Sequence, residues 1–206
     1  MNAEVSALLL QVLVMGGILA AFAAVASLVQ GRRLRGLAGV FEPGSFGVSG
    51  FLPRWAEGQV GGYPCRYRVV ARGKNQPGGA RLEVRAVTGL DWMAIRPAAP
   101  ARAMASAGVL RDVEIGDTQL DRALRFVARD PGALQGALAA EGPRAALGGL
   151  LCGTAFASIL VRPDLVRVQW KPRTRGSDED PAVVTGRIRE SLTLLAALGC
   201  APGAKW

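Results

Sequence analysis

Histidine is absent from this chain of 206 residues. That absence removes the commonest general base, the Ser-His and Cys-His nucleophile pairs and the most frequent metal ligand. Cysteine is scarce, and Cys65, Cys152 and Cys200 stand too far apart for a Cys-x-x-Cys site. Three thiols cannot pair completely, so a reducing compartment fits better than a disulfide framework. Lysine is nearly missing as well, with 22 of the 25 basic residues being Arg. Aromatics make up only 6% of the chain. No Gly-x-Ser-x-Gly, Walker loop or dinucleotide fingerprint occurs. An enzyme is not the expected reading, and no cofactor is expected.

What is abundant is apolar and small. Between Glu4 and Arg32 lie 27 residues without a charge, and Arg32-Arg33-Leu34-Arg35 follows at once. As a helix rising about 1.5 Å per residue, the stretch covers ~40 Å, enough for a hydrocarbon core of about 30 Å. A cleaved signal peptide is the competing reading, with Ala24-Val25-Ala26 as its cleavage site. The Met-Asn-Ala-Glu start has no basic residue and the apolar stretch is longer than a leader needs, which favours a retained anchor. Glu4 before the span and Arg32, Arg33 and Arg35 after it set the orientation. The positive-inside rule puts the N-terminus outside and the C-terminal domain in the cytoplasm. Gly16, Ala20 and Ala24 recur at four-residue spacing, so a homodimer through that ridge is a candidate.

Formal net charge is +9, and beyond the span it is +10, since only Glu4 is removed. Such Arg, Ala and Gly usage is what a GC-rich genome writes, so placement informs more than the total. The expectation is a bacterial inner-membrane protein with a transmembrane helix over 5–30, a juxtamembrane linker over 31–54 and a cytoplasmic domain over 55–200. Gly31, Gly36, Gly39, Gly44, Gly47 and Gly50 with Pro43 and Pro53 give the linker its irregular character. Phe41, Phe46 and Phe51 are expected to tuck back onto the domain rather than lie at the bilayer interface.

Alternation in Tyr67, Val69, Ala71 and in Leu82, Val84, Ala86 predicts a hairpin across a Gly73–Ala80 turn. Pairing Arg72 with Arg81 would set Ala71 opposite Leu82, Val69 opposite Val84 and Tyr67 opposite Ala86. The opposite face then carries Arg66, Arg68, Arg72, Arg81 and Arg85 against Glu83 alone. A third strand is predicted over Asp91–Arg96 with Trp92 inward. A second hairpin, Phe156–Arg162 and Leu165–Lys171 around Pro163-Asp164, matches Val161 to Val166, Ile159 to Val168 and Ala157 to Trp170. Asp130-Pro131 opens a short helix to about Ala140, and Gly142-Pro143 starts another to Leu151. Asp180-Pro181 opens the closing helix, whose stripe is Val184, Ile188, Leu192 and Leu195, with Arg187 off it and Gly199 at its end. Asp178-Glu179-Asp180 reads as cap and macrodipole chemistry. The fold class is therefore α+β: an N-terminal transmembrane helix, then a small antiparallel-sheet domain with two short helices and a closing C-terminal helix.

Glu114, Asp117 and Asp121 offer oxygen ligands for Mg²⁺ or Ca²⁺, and a metal-dependent hydrolase using Asp117 and Asp121 is the alternative function. Against it, Asp117 fits a helix cap or Asx-turn and Asp121 fits a backbone acceptor. Cys65, beside Arg66 but without a base, reads as a half-buried strand residue. Gly116-Asp117, Leu120-Asp121 and Leu124-Arg125-Phe126 resemble a pattern in an uncharacterised family of bacterial membrane-anchored proteins. There the pattern is Gly-Asp, two residues, Phe-Asp, then Phe-x-Val, followed by helices, a hairpin and a final helix. Leu120 replaces the usual Phe, and the strand is offset. The resemblance spans roughly 45–198 and implies a similar fold; no activity comes with it.

The arginine face is the functional lead. Together with Arg32, Arg33 and Arg35 it would lie against anionic headgroups or an acidic protein partner, each arginine worth on the order of 1 kcal/mol near the surface. Nucleic acid is not the expected partner, because Trp55, Trp92 and Trp170 show no stacking-platform spacing with the arginines. The expected role is a membrane-anchored binding or scaffold protein that does not catalyse.

Overall fold

The computed structural model describes residues 3–49, 55–70, 78–96, 111–152, 155–172 and 177–206. It is an α+β protein built on one antiparallel sheet, with a long apolar helix at its N-terminus. That helix, α1 (Ala3–Arg35), is 33 residues long, about 50 Å at 1.5 Å per residue. Its exposed side chains include Leu13, Met15, Leu19, Phe22, Val25 and Leu28. It is the one helix among the described residues long and apolar enough to cross a membrane, and an 18-residue window of it has a mean hydropathy of 2.5 with none of that window buried.

Strands β1 (Gly47–Ser49), β2 (Trp55–Val60), β3 (Tyr63–Val70), β4 (Gly79–Val87) and β5 (Trp92–Ile95) come first. Then follow β6 (Arg111–Val113), α2 (Thr118–Ala123), β7 (Arg125–Ala128), α3 (Pro131–Ala137) and α4 (Glu141–Cys152). The hairpin β8 (Phe156–Arg162) and β9 (Leu165–Trp170) leads to a 3-10 turn at Ser177–Glu179, α5 (Pro181–Ala197) and β10 (Ala201–Pro202). The sheet runs β1-β2-β3-β4-β9-β8-β5-β7-β6, and β10 pairs with the end of β4. One face is apolar: Tyr67, Leu82, Val84, Val166, Val168, Ile159, Trp92 and Phe126 meet Leu147 and Leu150 of α4 and Val184, Ile188 and Leu195 of α5. The first hairpin thus pairs with the second through β4 and β9, bringing distant segments side by side.

The first hairpin forms, but in another register. Cys65 faces Val84, Tyr67 faces Leu82 and Val69 faces Ala80, so the pairing is shifted by four residues from that expected. An even shift leaves every side chain on its face, and the inner face is therefore as predicted. The extra constraint is β9, which pairs Val84 with Val166 and Leu82 with Val168. Ala71 and Arg72 lie outside the described residues. In the second hairpin Val161–Val166 and Ile159–Val168 pair as expected, but Phe156, not Ala157, faces Trp170. A bulge between Phe156 and Ser158 absorbs one residue and turns the Phe156 ring inward.

Helix ends follow their caps. Asp130 Oδ1 accepts from Ala133 N and Asp180 Oδ1 from Ala182 N, each before a Pro at the first turn. Helix α3 stops at Ala137, short of Ala140. On α5 the buried stripe is Val184, Arg187, Ile188, Ser191, Leu194 and Leu195, turned from the expected one so that Arg187 is inside and Leu192 flanks it.

The stretch 31–54 departs most from expectation. Rather than a loose linker, it is part of the fold through residue 49. Helix α1 continues to Arg35, a 3-10 turn spans Ala38–Val40, and β1 pairs with β2. Gly31, Leu34, Leu37 and Phe41 are buried. Phe41 lies on Gly58 so closely that a methyl there would come within 2.8 Å of its ring, which explains glycine in mid-strand. Phe46 packs against Phe41, with ring centroids 5.7 Å apart. Phe51 is outside the described residues.

Because Leu34 and Leu37 belong to the domain core, truncating either to Ala is expected to lower unfolding stability by about 2–5 kcal/mol. Leu28→Ala, on the exposed stretch, should leave it unchanged. Denaturant unfolding of the full chain in detergent separates the two; equal effects would contradict the shared core.

Candidate functional site

The arginine face forms, and its own residues neutralise much of it. Register places Glu57 opposite Arg66, Arg66 opposite Glu83 and Glu83 opposite Arg167, a row of alternating charge across four strands. Cross-strand neighbours on one face sit about 4.5–5.5 Å apart, close enough to bond. Arg66 Nε reaches Glu57 Oε2 at 2.7 Å, and Arg167 Nε reaches Glu83 Oε1 at 2.7 Å. Arg85 pairs with Asp164 of the second turn at 2.5 Å. Arg68 and Arg81 stand directly opposite each other, a like-charge pair. Arg68 is stacked 4.4 Å from the Trp55 ring. Arg81 is held by Gln169, whose amide oxygen, turned toward it, accepts from Nη2 at 2.9 Å and Nε at 3.1 Å. Burial, and then the Arg68 and Arg167 charges, push the Arg81 pKa down. The C-terminal residue Trp206 covers Arg66 and Arg85, at 4.0 and 4.5 Å from its ring centre. Asp164, Arg167 and Trp206 were not legible as partners, because each joins the face over a long sequence separation; Glu57 lies only nine residues from Arg66 and meets it across the β2–β3 turn.

A second polar cluster lies inside the protein. Arg187 Nη2 bonds Asp178 Oδ1 at 2.7 Å and its Nη1 bonds Tyr67 Oη at 2.6 Å, over the Trp170 ring. Tyr67 Oη in turn donates to the Asp178 carbonyl at 2.7 Å. Only 5% of the Arg187 side chain and 9% of that of Asp178 are exposed. Burial drives the Tyr67 pKa up to about 12, against the opposing pull of Arg187. The neighbouring Glu179 holds Arg33 of α1 at 3.4 Å. Of the acidic triplet, then, Asp180 alone is the cap; Asp178 and Glu179 fasten helices. The placement of Arg187 between Val184 and Ile188, on the apolar stripe, was the available signal.

The carboxylates considered for a metal serve the backbone. Asp117 Oδ1 accepts from Gln119 N and Leu120 N, both at 3.0 Å, capping α2. Asp121 Oδ1 accepts from Ile115 N at 3.1 Å. Glu114 is exposed, and among the described residues no three His, Cys, Asp or Glu side chains converge. A cavity of about 560 Å³ beside them is lined by Asp112, Glu114, Asp121, Leu124, Arg125 and Phe126. Asp112 and Arg125 close into an ion pair at 2.7 Å. Cys65 is buried, and desolvation pushes its thiol up to about 12; burial raises Cys200 too. Cys152 is exposed.

Gly16, Ala20 and Ala24 stay exposed on α1, and Arg32, Arg33 and Arg35 are exposed at its last turn. Neither a protein-family profile nor a curated protein matches the chain. A similar solved structure is that of the mycobacterial trehalose monomycolate transport factor A, TtfA, at 10% identity and a TM-score of 0.48. The match covers 86% of this chain and 98% of that one. A likeness at that distance carries no functional argument.

Breaking the interior pair by Asp178→Ala or Arg187→Ala is expected to cost about 3–5 kcal/mol, since each takes the counter-ion from a buried charge. Replacing both (Asp178→Leu with Arg187→Met) should recover much of it in the same unfolding assay; a double variant no better than the singles would refute the pairing. The Cys65 thiol, raised in the folded state from its ordinary 9.0 to about 12, favours folding below pH 9. That contribution fades as pH climbs through the folded value, because the unfolded thiol ionises first. Melting temperature should therefore fall between pH 9 and 12, and less steeply in Cys65→Ala.

Proposed function

We propose that this chain is a single-pass protein of a bacterial inner membrane, with its N-terminus outside and its α+β domain in the cytoplasm, and that it binds or scaffolds rather than catalyses. The observation that carries the reading is the character of α1. The described apolar side chains from Val12 to Val29 face outward all around it, and its last turn is packed into the domain. A surface of that size is stable against lipid, not water. Exposed Arg32, Arg33 and Arg35 sit where the span leaves the bilayer, which favours the cytoplasmic side for the domain. Membrane lipids are the first partner, through those arginines. Arg66, Arg68, Arg81 and Arg85 are a further surface for an acidic partner, in competition with the carboxylates that hold Arg66 and Arg85. A homodimer through Gly16, Ala20 and Ala24 fits the open α1 surface. For a binding role rather than a reaction, support comes from the deep-set thiols of Cys65 and Cys200 and from Asp117 and Asp121 being spent on backbone donors.

Full-length protein is expected to sediment with membranes, resist high salt and alkaline carbonate, and dissolve only in detergent, with its N-terminal residues intact. Exposed Cys152 should react with a membrane-impermeant maleimide only after cell lysis. A soluble mature chain beginning after Ala26 would overturn the anchored reading, and labelling in intact cells would reverse the orientation.

A further inference from the structure

No spacer separates the apolar stretch from the domain. The apolar side chains described on α1 are exposed from Val12 through Val29, yet Gly31 is already buried, and Leu34 and Leu37 are in the core three and six residues later. A helix cannot pivot between consecutive residues of one turn, so whatever holds the apolar stretch also holds the body. Two fastenings fix the angle. Leu34, Leu37 and Phe41 pack into the core, and Arg33 meets Glu179, whose neighbour Asp178 is tied to Arg187 and Tyr67.

The contacts also say which end of the sheet comes first. Going up the chain from the membrane, the body is met at Arg33, beside the 3-10 turn that touches Tyr67. Arg187, in the same cluster, lies over Trp170, the last residue of β9. The chain then travels toward the other end, where Glu42 N bonds Gln59 O and its carboxylate takes Gly62 N. The Pro163-Asp164 turn is at that far end, since Leu165 pairs with Arg85 while Trp170 pairs with Ala80. The near end carries exposed Lys171 and half-buried Trp55 under Arg68, and Arg33 of α1 reaches the 3-10 turn beside it. Tryptophan beside cations is the composition of a headgroup interface.

We propose that the Trp55 and Lys171 end of the sheet rests on anionic lipid headgroups in one fixed pose, with Arg32 and Arg35 against their phosphates. This rests on the anchored reading and deepens it: the lipid contact is the end of the sheet next to α1, not the arginine-bearing face. The body then stands upright, with its Pro163-Asp164 turn farthest from the bilayer.

The test uses the full chain in nanodiscs of mixed neutral and anionic phospholipid that include a lipid with a headgroup quencher. A fluorophore is placed at Lys171→Cys or at Asp164→Cys, each with Cys152→Ser. The two sites are ~20 Å apart along the sheet at about 3.3 Å per residue. The Lys171 position is expected to be quenched several-fold more than the Asp164 position. A flexible Gly/Ser insert of about ten residues between Gln30 and Gly31 should level the two, because it gives the body a freely turning tether. Arg32→Gln with Arg35→Gln should lessen the preference for anionic over neutral discs while the protein stays inserted. Equal quenching at both sites in the uninterrupted chain would overturn the fixed pose, as would stronger quenching at Asp164. A chain that does not enter nanodiscs would instead remove the anchored reading itself.

Discussion

A single helix that is open along one stretch and buried along the next is the constraint on which this structure depends. From Val12 to Val29 its described apolar side chains are exposed, and from Gly31 on it is one wall of a folded core. Neither part is independent, since Leu34 and Leu37 are fully buried only because the helix arrives at that point with that rotation. The placement of Arg32, Arg33 and Arg35 follows from the same geometry. With Gly31, Leu34 and Leu37 committed to the inside, the positions between them are the ones left for charge.

Charge in this protein is therefore better understood by rows than by totals. The chain is strongly basic, yet on the sheet face Glu57, Arg66, Glu83 and Arg167 alternate across four neighbouring strands. Ion pairs on such a half-exposed face add about 0–1 kcal/mol each. Trp206 adds to this by lying over Arg66 and Arg85, which links the C-terminal strand to the row without adding charge. A basic composition thus yields little free positive surface on the sheet, and the arginines at the end of α1 gain importance by contrast.

Period-two alternation made the inner faces of β3, β4, β8 and β9 legible, cap residues made α3 and α5 legible, and the Gly142-Pro143 break made α4 legible, because these signals are local. What stayed hidden was set at a distance. The first hairpin's register is fixed by β9, some eighty residues on, and the bulge at Ala157 by the need to seat Phe156. Strands β1, β2, β6 and β10 are short or interrupted by glycine, so they have too few alternations to stand out, and sheet neighbours supply their stability. The glycine-rich 31–49 stretch reads as loose for a related reason. Gly58 accepts the Phe41 ring, and that complementarity spans two segments neither of which announces it.

The buried cluster of Asp178, Arg187, Tyr67 and Trp170 poses the remaining physical question, because an apolar set of the same volume would be cheaper to bury. Its members come from β3, β9, the 3-10 turn and α5, and the turn also carries Glu179, which meets α1. Oily residues at those positions would cohere in several relative rotations, whereas the guanidinium accepts one: Nη2 toward the carboxylate and Nη1 toward the phenol. Directionality of that kind fixes the angle between sheet, closing helix and 3-10 turn. Since the turn is where α1 is fastened, the angle is passed on to the apolar helix. The desolvation cost of the pair is thus set against an orientational constraint that nonpolar packing supplies less sharply, at a place where an error in angle would tilt the whole body against the apolar helix.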